Sequence, residues 1–153
     1  MTPSEIADNR AGLLAFTKTM FRARKGADMM PASHHKPTCD ALERVVIGKT
    51  KRLIINIPPR SGKTEIAVII FMSWCMGNWP DSEFIHASYS KRLATANTYA
   101  ARATMMHETY REVFGHTALA DDSKAKDEFR TEQGGIVYAT GAEGSITGYG
   151  AGK

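Results

Sequence analysis

Residues 57–65, IPPRSGKTE, hold the side chains whose types and spacing are best suited to chemistry. Gly62, Lys63 and Thr64 match the second half of the pattern GxxxxGK[ST], while Ile57 stands where the pattern has its first glycine. A glycine lets backbone N–H groups approach anionic oxygens. The lysine supplies a charge for terminal phosphates, and the threonine hydroxyl is a ligand for a phosphate-bridging Mg²⁺. Arg60 lies inside the same loop, where it reads as a cis arginine, a plain phosphate contact or a surface ion pair. The plainer reading of SGKT is a helix-starting turn with Ser61 as its cap.

The flanking elements decide between these readings. LIINI, residues 53–57, is a short apolar run rich in branched residues, which predicts a strand buried on both faces of a parallel sheet. IAVIIFMSWCM follows the loop and is apolar almost all round, the pattern of an enclosed helix. A loop between such a strand and helix sits at the positive end of the helix dipole, where anions bind. EFIHASYS reads as a second strand and KRLATANTYAARATMMHETYREVFG as one long helix, giving a βαβ unit with ligands at the carboxyl ends of parallel strands. DEFRTEQGGIVYATG reads as a hairpin turning through Gly134 and Gly135. Upstream, residues 4–24 suit an amphipathic helix capped by Ser4, and CDALERVVIG a second helix stopped by Gly48.

Composition narrows the function classes. The 153 residues are 42% hydrophobic and 24% charged, which is ordinary for a globular domain. No stretch approaches the ~20 apolar residues of a membrane span, and the start lacks the layout of a secretory signal. Cys39 and Cys75 are too far apart for a CxxC pairing, so no disulfide framework or zinc site is indicated. Net charge is +4, but residues 1–63 hold 12 Lys and Arg against 5 Asp and Glu, so polyphosphate or DNA favours the front of the chain. Arg22, Arg24 and Lys25 also read as the solvated face of a helix.

Several blocks in order resemble the large subunit of tailed-phage terminases, over nearly the whole chain. They are ASHHKPTCDALERVVIGKTKRLIINIPPRSGKTE, with its Pro-Pro-Arg loop replacing the glycine-first version, then HASYSKRLA, REVFG and GGIVYATGAEGSITGYGA. The resemblance implies an α/β P-loop NTPase-like parallel sheet with flanking helices, incomplete and with a C-terminal β-hairpin. It makes residues 1–153 a partial ATPase domain, divided into a helical segment, 1–50, and a βαβ core plus hairpin, 51–153. ATP and Mg²⁺ are implied as cofactors, bound by Pro59, Arg60, Ser61, Gly62, Lys63, Thr64 and Glu65, with Lys63 and Arg60 catalytic and Thr64 on the metal. Double-stranded DNA, a terminase small subunit and a portal protein are the implied partners, in the bacterial host cytoplasm.

The family pattern next calls for an apolar strand ending in paired acids and then a nuclease, and neither lies within the 153 residues. The expectation is therefore nucleotide binding without efficient turnover, and self-association through uncovered strand edges and apolar faces. Asp121 and Asp122 read as a solvated loop rather than as substitute acids, and Glu143 as part of a mobile glycine-rich loop. His34 and His35 are expected near the adenine end of the nucleotide or at a helix entry. Ser88, Tyr89 and Ser90 are expected at a ligand-collecting strand edge, with Ser90 capping the long helix, while Lys91, Arg92, Arg102 and Arg111 are candidate phosphate contacts. Two other readings stand beside the motor: a small-molecule P-loop kinase, and a nucleotide-binding or interaction module without turnover.

Overall fold

The structure, a computed structural model, describes residues 1–121 and 127–142. Its helical front begins with α1 (Pro3–Ala11), capped by the Thr2 side chain, with Glu5 reaching back to complete a capping box. The expected single helix is two, because Gly12 is extended and ends α1 before α2 (Leu13–Lys25). Thr2 rather than Ser4 is the cap: the acid three residues on from Thr2 is Glu5, which can answer it. The orphan amide of Leu13 at the new helix start is satisfied by Glu43, 2.7 Å away in α3 (His35–Val46). That bond ties α2 to α3.

Residues 53–57 depart from expectation. They join no sheet among the described residues, and burial alternates along them, with Ile54 86% exposed. Leu53 and Ile55 pack on the core while Ile54 faces outward, so the run behaves as a one-sided strand with no ladder. Apolar composition marks a segment that prefers extended packing; only a neighbouring backbone makes it a sheet strand.

The apolar segment after the loop is a π-helical stretch, Glu65–Ile70, running directly into α4 (Phe71–Asn78). Ile66, Ile70 and Met76 are fully buried and Met72, Trp74 and Cys75 nearly so, which confirms the enclosed helix. The sheet has three strands, β1 (Glu83–Ser88), β2 (Glu128–Arg130) and β3 (Ile136–Gly141), in the order β1-β3-β2. β1 and β3 are parallel from Glu83 against Ile136 to Ser88 against Gly141, and β2 pairs antiparallel with β3 as the hairpin pattern predicted. The fold is mixed α/β with one parallel pair.

The expected long helix is divided into α5 (Lys91–Met105) and α6 (Glu108–Val113), because His107 is extended and its ring nitrogen accepts from the Thr109 amide as a new N-cap. Ser90 occupies the N-cap position of α5 without a side-chain bond to the helix.

Two features of the sheet yield tests. Gly135 directly precedes β3 with its amide on the Pro80 carbonyl, and a Cβ there would lie 2.2 Å from that oxygen and 2.9 Å from the Ser82 carbonyl. Backbone on both sides cannot step aside, so Gly135→Ala is expected to lower unfolding free energy by ~2–4 kcal/mol in denaturant melts. His86, half-buried on β1, faces the Asn97 amide at 3.2 Å, and burial holds its pKa below the ordinary 6.5. A folded-state pKa lowered in this way gives stability that is complete above the unfolded value and is lost as pH falls through 6.5 toward the folded value. The melting temperature is expected to fall between about pH 7.5 and 5.5, and to fall less in His86→Gln.

Candidate functional site

Pro58, Pro59, Arg60, Gly62, Lys63, Thr64 and Glu65 line one open cavity of ≈ 360 Å³ at the start of the π-helical stretch. Two prolines restrict the approach to this loop, and then the chain turns through two left-handed residues, Arg60 at φ 62° and Gly62 at φ 74°. Glycine takes that conformation freely, whereas an arginine there costs about 1–2 kcal/mol. A strained residue inside a charged loop is a feature of sites rather than of connectors. The Gly62 carbonyl accepts from the Ile66 amide at 2.9 Å, so the loop passes into helical backbone without a break. The amides of the first helical turn carry the positive end of the dipole.

Side chains hold the loop from three directions. Lys63 folds back and donates from Nζ to the Ile57 carbonyl at 3.1 Å, closing the loop on the residue that stands in the first-glycine position. His34 Nε2 lies 2.8 Å from the Ser61 carbonyl and, as donor, anchors the middle of the loop to the entrance of α3. Arg24 Nη1 donates to Glu65 Oε1, joining the last turn of α2 to the loop's exit. The side chains of this pair are only 16% and 18% exposed, so the contact is shielded from solvent. His35 packs edge-on against His34 at 4.5 Å; burial first, then the His34 and Lys18 charges, lowers its pKa.

The expected site residues thus fall into two groups. Pro59, Arg60, Gly62, Lys63 and Thr64 share the cavity, while Ser61 turns its carbonyl to His34 and Glu65, though it borders the cavity, is engaged by Arg24. Arg24, read from sequence as a solvated charge, is a structural partner of the loop. Its signal in the sequence is slight, since nothing in a basic helix end says which arginine turns inward. His34 lies against the loop backbone, in the role of a helix-entry residue. Tyr89 is 85% exposed beyond the carboxyl end of β1, and Lys91 is paired with Asp127 at 2.8 Å. Asp121 sits in an exposed turn; Asp122, Glu143 and the glycine-rich stretch beyond lie outside the described residues. Cys39 is a buried thiol whose pKa burial pushes up to about 11, which removes it from thiolate chemistry.

No family model, curated protein or solved structure matches the chain. Among the described residues no helix is long and apolar enough to cross a membrane.

The shielded pair gives a test. Arg24→Ala leaves the Glu65 carboxylate without its partner at low exposure, and is expected to cost ~2 kcal/mol of stability, with Arg24→Lys recovering only part of it because the planar fork is lost. Equal melting temperatures for the wild type and Arg24→Ala would show the pair to be incidental.

Proposed function

We propose that this chain is the ATP-binding part of a DNA-packaging motor of the terminase large-subunit type, a P-loop ATPase module. The observation that carries the reading is the strained, glycine-bearing turn with Arg60, Lys63 and Thr64 around one cavity at the start of a helix whose body is buried. The ordered sequence blocks that resemble terminases add the motor to the nucleotide site.

The residues present fit a magnesium-bound triphosphate. The cavity is walled by two cationic side chains, a glycine whose backbone has no Cβ before it, and a threonine hydroxyl. Bound Mg²⁺-ATP supplies a phosphoanhydride bond and the charge that these groups neutralise. Lys63 leaves the Ile57 carbonyl to meet phosphate oxygens, exchanging a neutral acceptor for an anionic one. Thr64 would offer its hydroxyl to the cation, and Arg60 would contribute a second positive charge from the turn. His34 and the Arg24–Glu65 pair keep the loop in its turned form. In the motor the partners are double-stranded DNA, a small subunit and a portal, working in the host cytoplasm, and self-association of the chain accompanies that assembly.

The test is calorimetric titration of Mg-ATP into the chain and into Lys63→Ala, with phosphate release followed in the same samples with and without double-stranded DNA. Lys63→Ala is expected to weaken binding by at least ~10-fold, the value of one hydrogen bond to a charged group. Affinity unchanged by that substitution, or absent in both proteins, overturns the reading.

A further inference from the structure

A second cavity, of ≈ 500 Å³, lies away from the loop, between α5, α6 and residues 115–121. Its volume is in the range of small-molecule sites. Arg102 and Arg111 line it together with Asp121 and Glu132, over an apolar floor that includes Met105 and Leu119. Among the described residues two guanidiniums and two carboxylates therefore share one cavity, and none of these four side chains forms an ion pair with another or with any described residue. Arg102 Nε is moreover buried without a hydrogen-bond acceptor. Leaving a buried charged donor unsatisfied costs free energy, so the charge of Arg102 is not answered by any described residue.

The wall is built rather than loose. Thr117 Oγ1 and the His116 ring both reach the Gly77 carbonyl, at 3.3 and 2.9 Å, and Gln133 Nε2 donates to the His116 carbonyl at 2.8 Å. The Ala120 amide donates to the Arg130 carbonyl, and the Glu132 amide to the Ala118 carbonyl. These bonds fix the backbone of residues 116–120 and 132 where it borders the cavity.

We propose that this cavity binds a small zwitterion with an apolar side chain, an apolar α-amino acid in chemical class. Arginine forks suit a carboxylate, and the opposite charges of Asp121 and Glu132 suit an ammonium. A polyanion such as DNA would bring both acids against phosphate, so balanced charge favours a ligand that is itself balanced. Met105 and Leu119 receive the apolar side chain, and methionine adapts its shape to it.

Calorimetric titration of the full chain with leucine, N-acetylleucine and leucinamide tests each charge separately. Leucine is expected to bind ~3-fold or more tightly than N-acetylleucine, the scale of a partly exposed ion pair. Leucinamide, lacking the carboxylate, is expected to bind ~10-fold more weakly than leucine, and Arg102→Gln to weaken leucine binding by a similar factor. Since Arg102→Gln removes the unsatisfied Nε, it should melt no lower than the wild type. The exposed Glu132→Gln, which weakens leucine relative to N-acetylleucine, serves if it does not. Lys63→Ala should leave leucine binding unchanged, which separates this cavity from the nucleotide loop. Equal affinity for leucine and N-acetylleucine, preference for inorganic phosphate, or no binding of leucine overturns the proposal.

Discussion

Burying most of residues 65–78, and Met72–Gly77 without interruption, sets the terms for everything packed around them. Where such a helix is buried, solvent cannot answer a backbone oxygen that its own ladder leaves under-satisfied, so neighbours must supply donors at defined points. Tyr110 Oη donates to the Ser73 carbonyl at 3.0 Å, and His116 and Thr117 converge on the Gly77 carbonyl. In the other direction the Trp74 indole donates to the Asn9 carbonyl at 3.0 Å. Each bond fixes a different layer, α6, the segment after it and α1, to the same post. Gly77 shows how closely they approach: a Cβ there would meet the Phe114 ring at 2.5 Å. Burial also pushes the Tyr110 pKa well up, so its hydroxyl remains a donor at any ordinary pH.

Much of this was legible in the sequence, for reasons that are local. The apolar run of the post and the hairpin at Gly134 and Gly135 rest on patterns a few residues long, whereas the parallel pair is β1 with β3 and not the pair of residues 53–57 with β1 that strand-helix-strand order implied. What was not legible depends on partners or on small backbone choices. Periodicity cannot separate the π-helical pitch of Glu65–Ile70 from an α-helix, because both bury the same branched residues. Gly12 breaks a helix whose amphipathic pattern continues across it, and His107 does the same later. Residues 53–57 have the composition of a strand, yet a ladder is a property of two segments and only one was read.

The candidate site divides along the same line. Gly62, Lys63 and Thr64 announce their chemistry by type and spacing, and they do share a cavity. The side chains that hold the loop come from elsewhere in the chain: His34 lies 27 residues before Ser61, and Arg24 41 residues before Glu65. Contacts at such separations leave no trace in a local pattern. They are nonetheless what converts a motif into a shaped cavity, since an isolated SGKT turn would be free to relax the left-handed Arg60.

The unpaired run before the loop makes these contacts more consequential. Where a loop follows a laddered strand, inter-strand hydrogen bonds fix its point of departure. Here residues 53–57 have no such bonds among the described residues, and Leu53 and Ile55 hold the run by packing alone. Apolar packing is non-directional, so it sets the run's position far more firmly than its register. Direction has to come from polar contacts, and Lys63 to the Ile57 carbonyl, His34 to the Ser61 carbonyl and Arg24 to Glu65 supply it at the start, middle and exit of the loop. Of the three, only the lysine contact sits on a group that a phosphate would reclaim. In the proposed nucleotide complex the two others would persist, so the ordering entropy of the loop would be largely lost on folding rather than at the moment of binding.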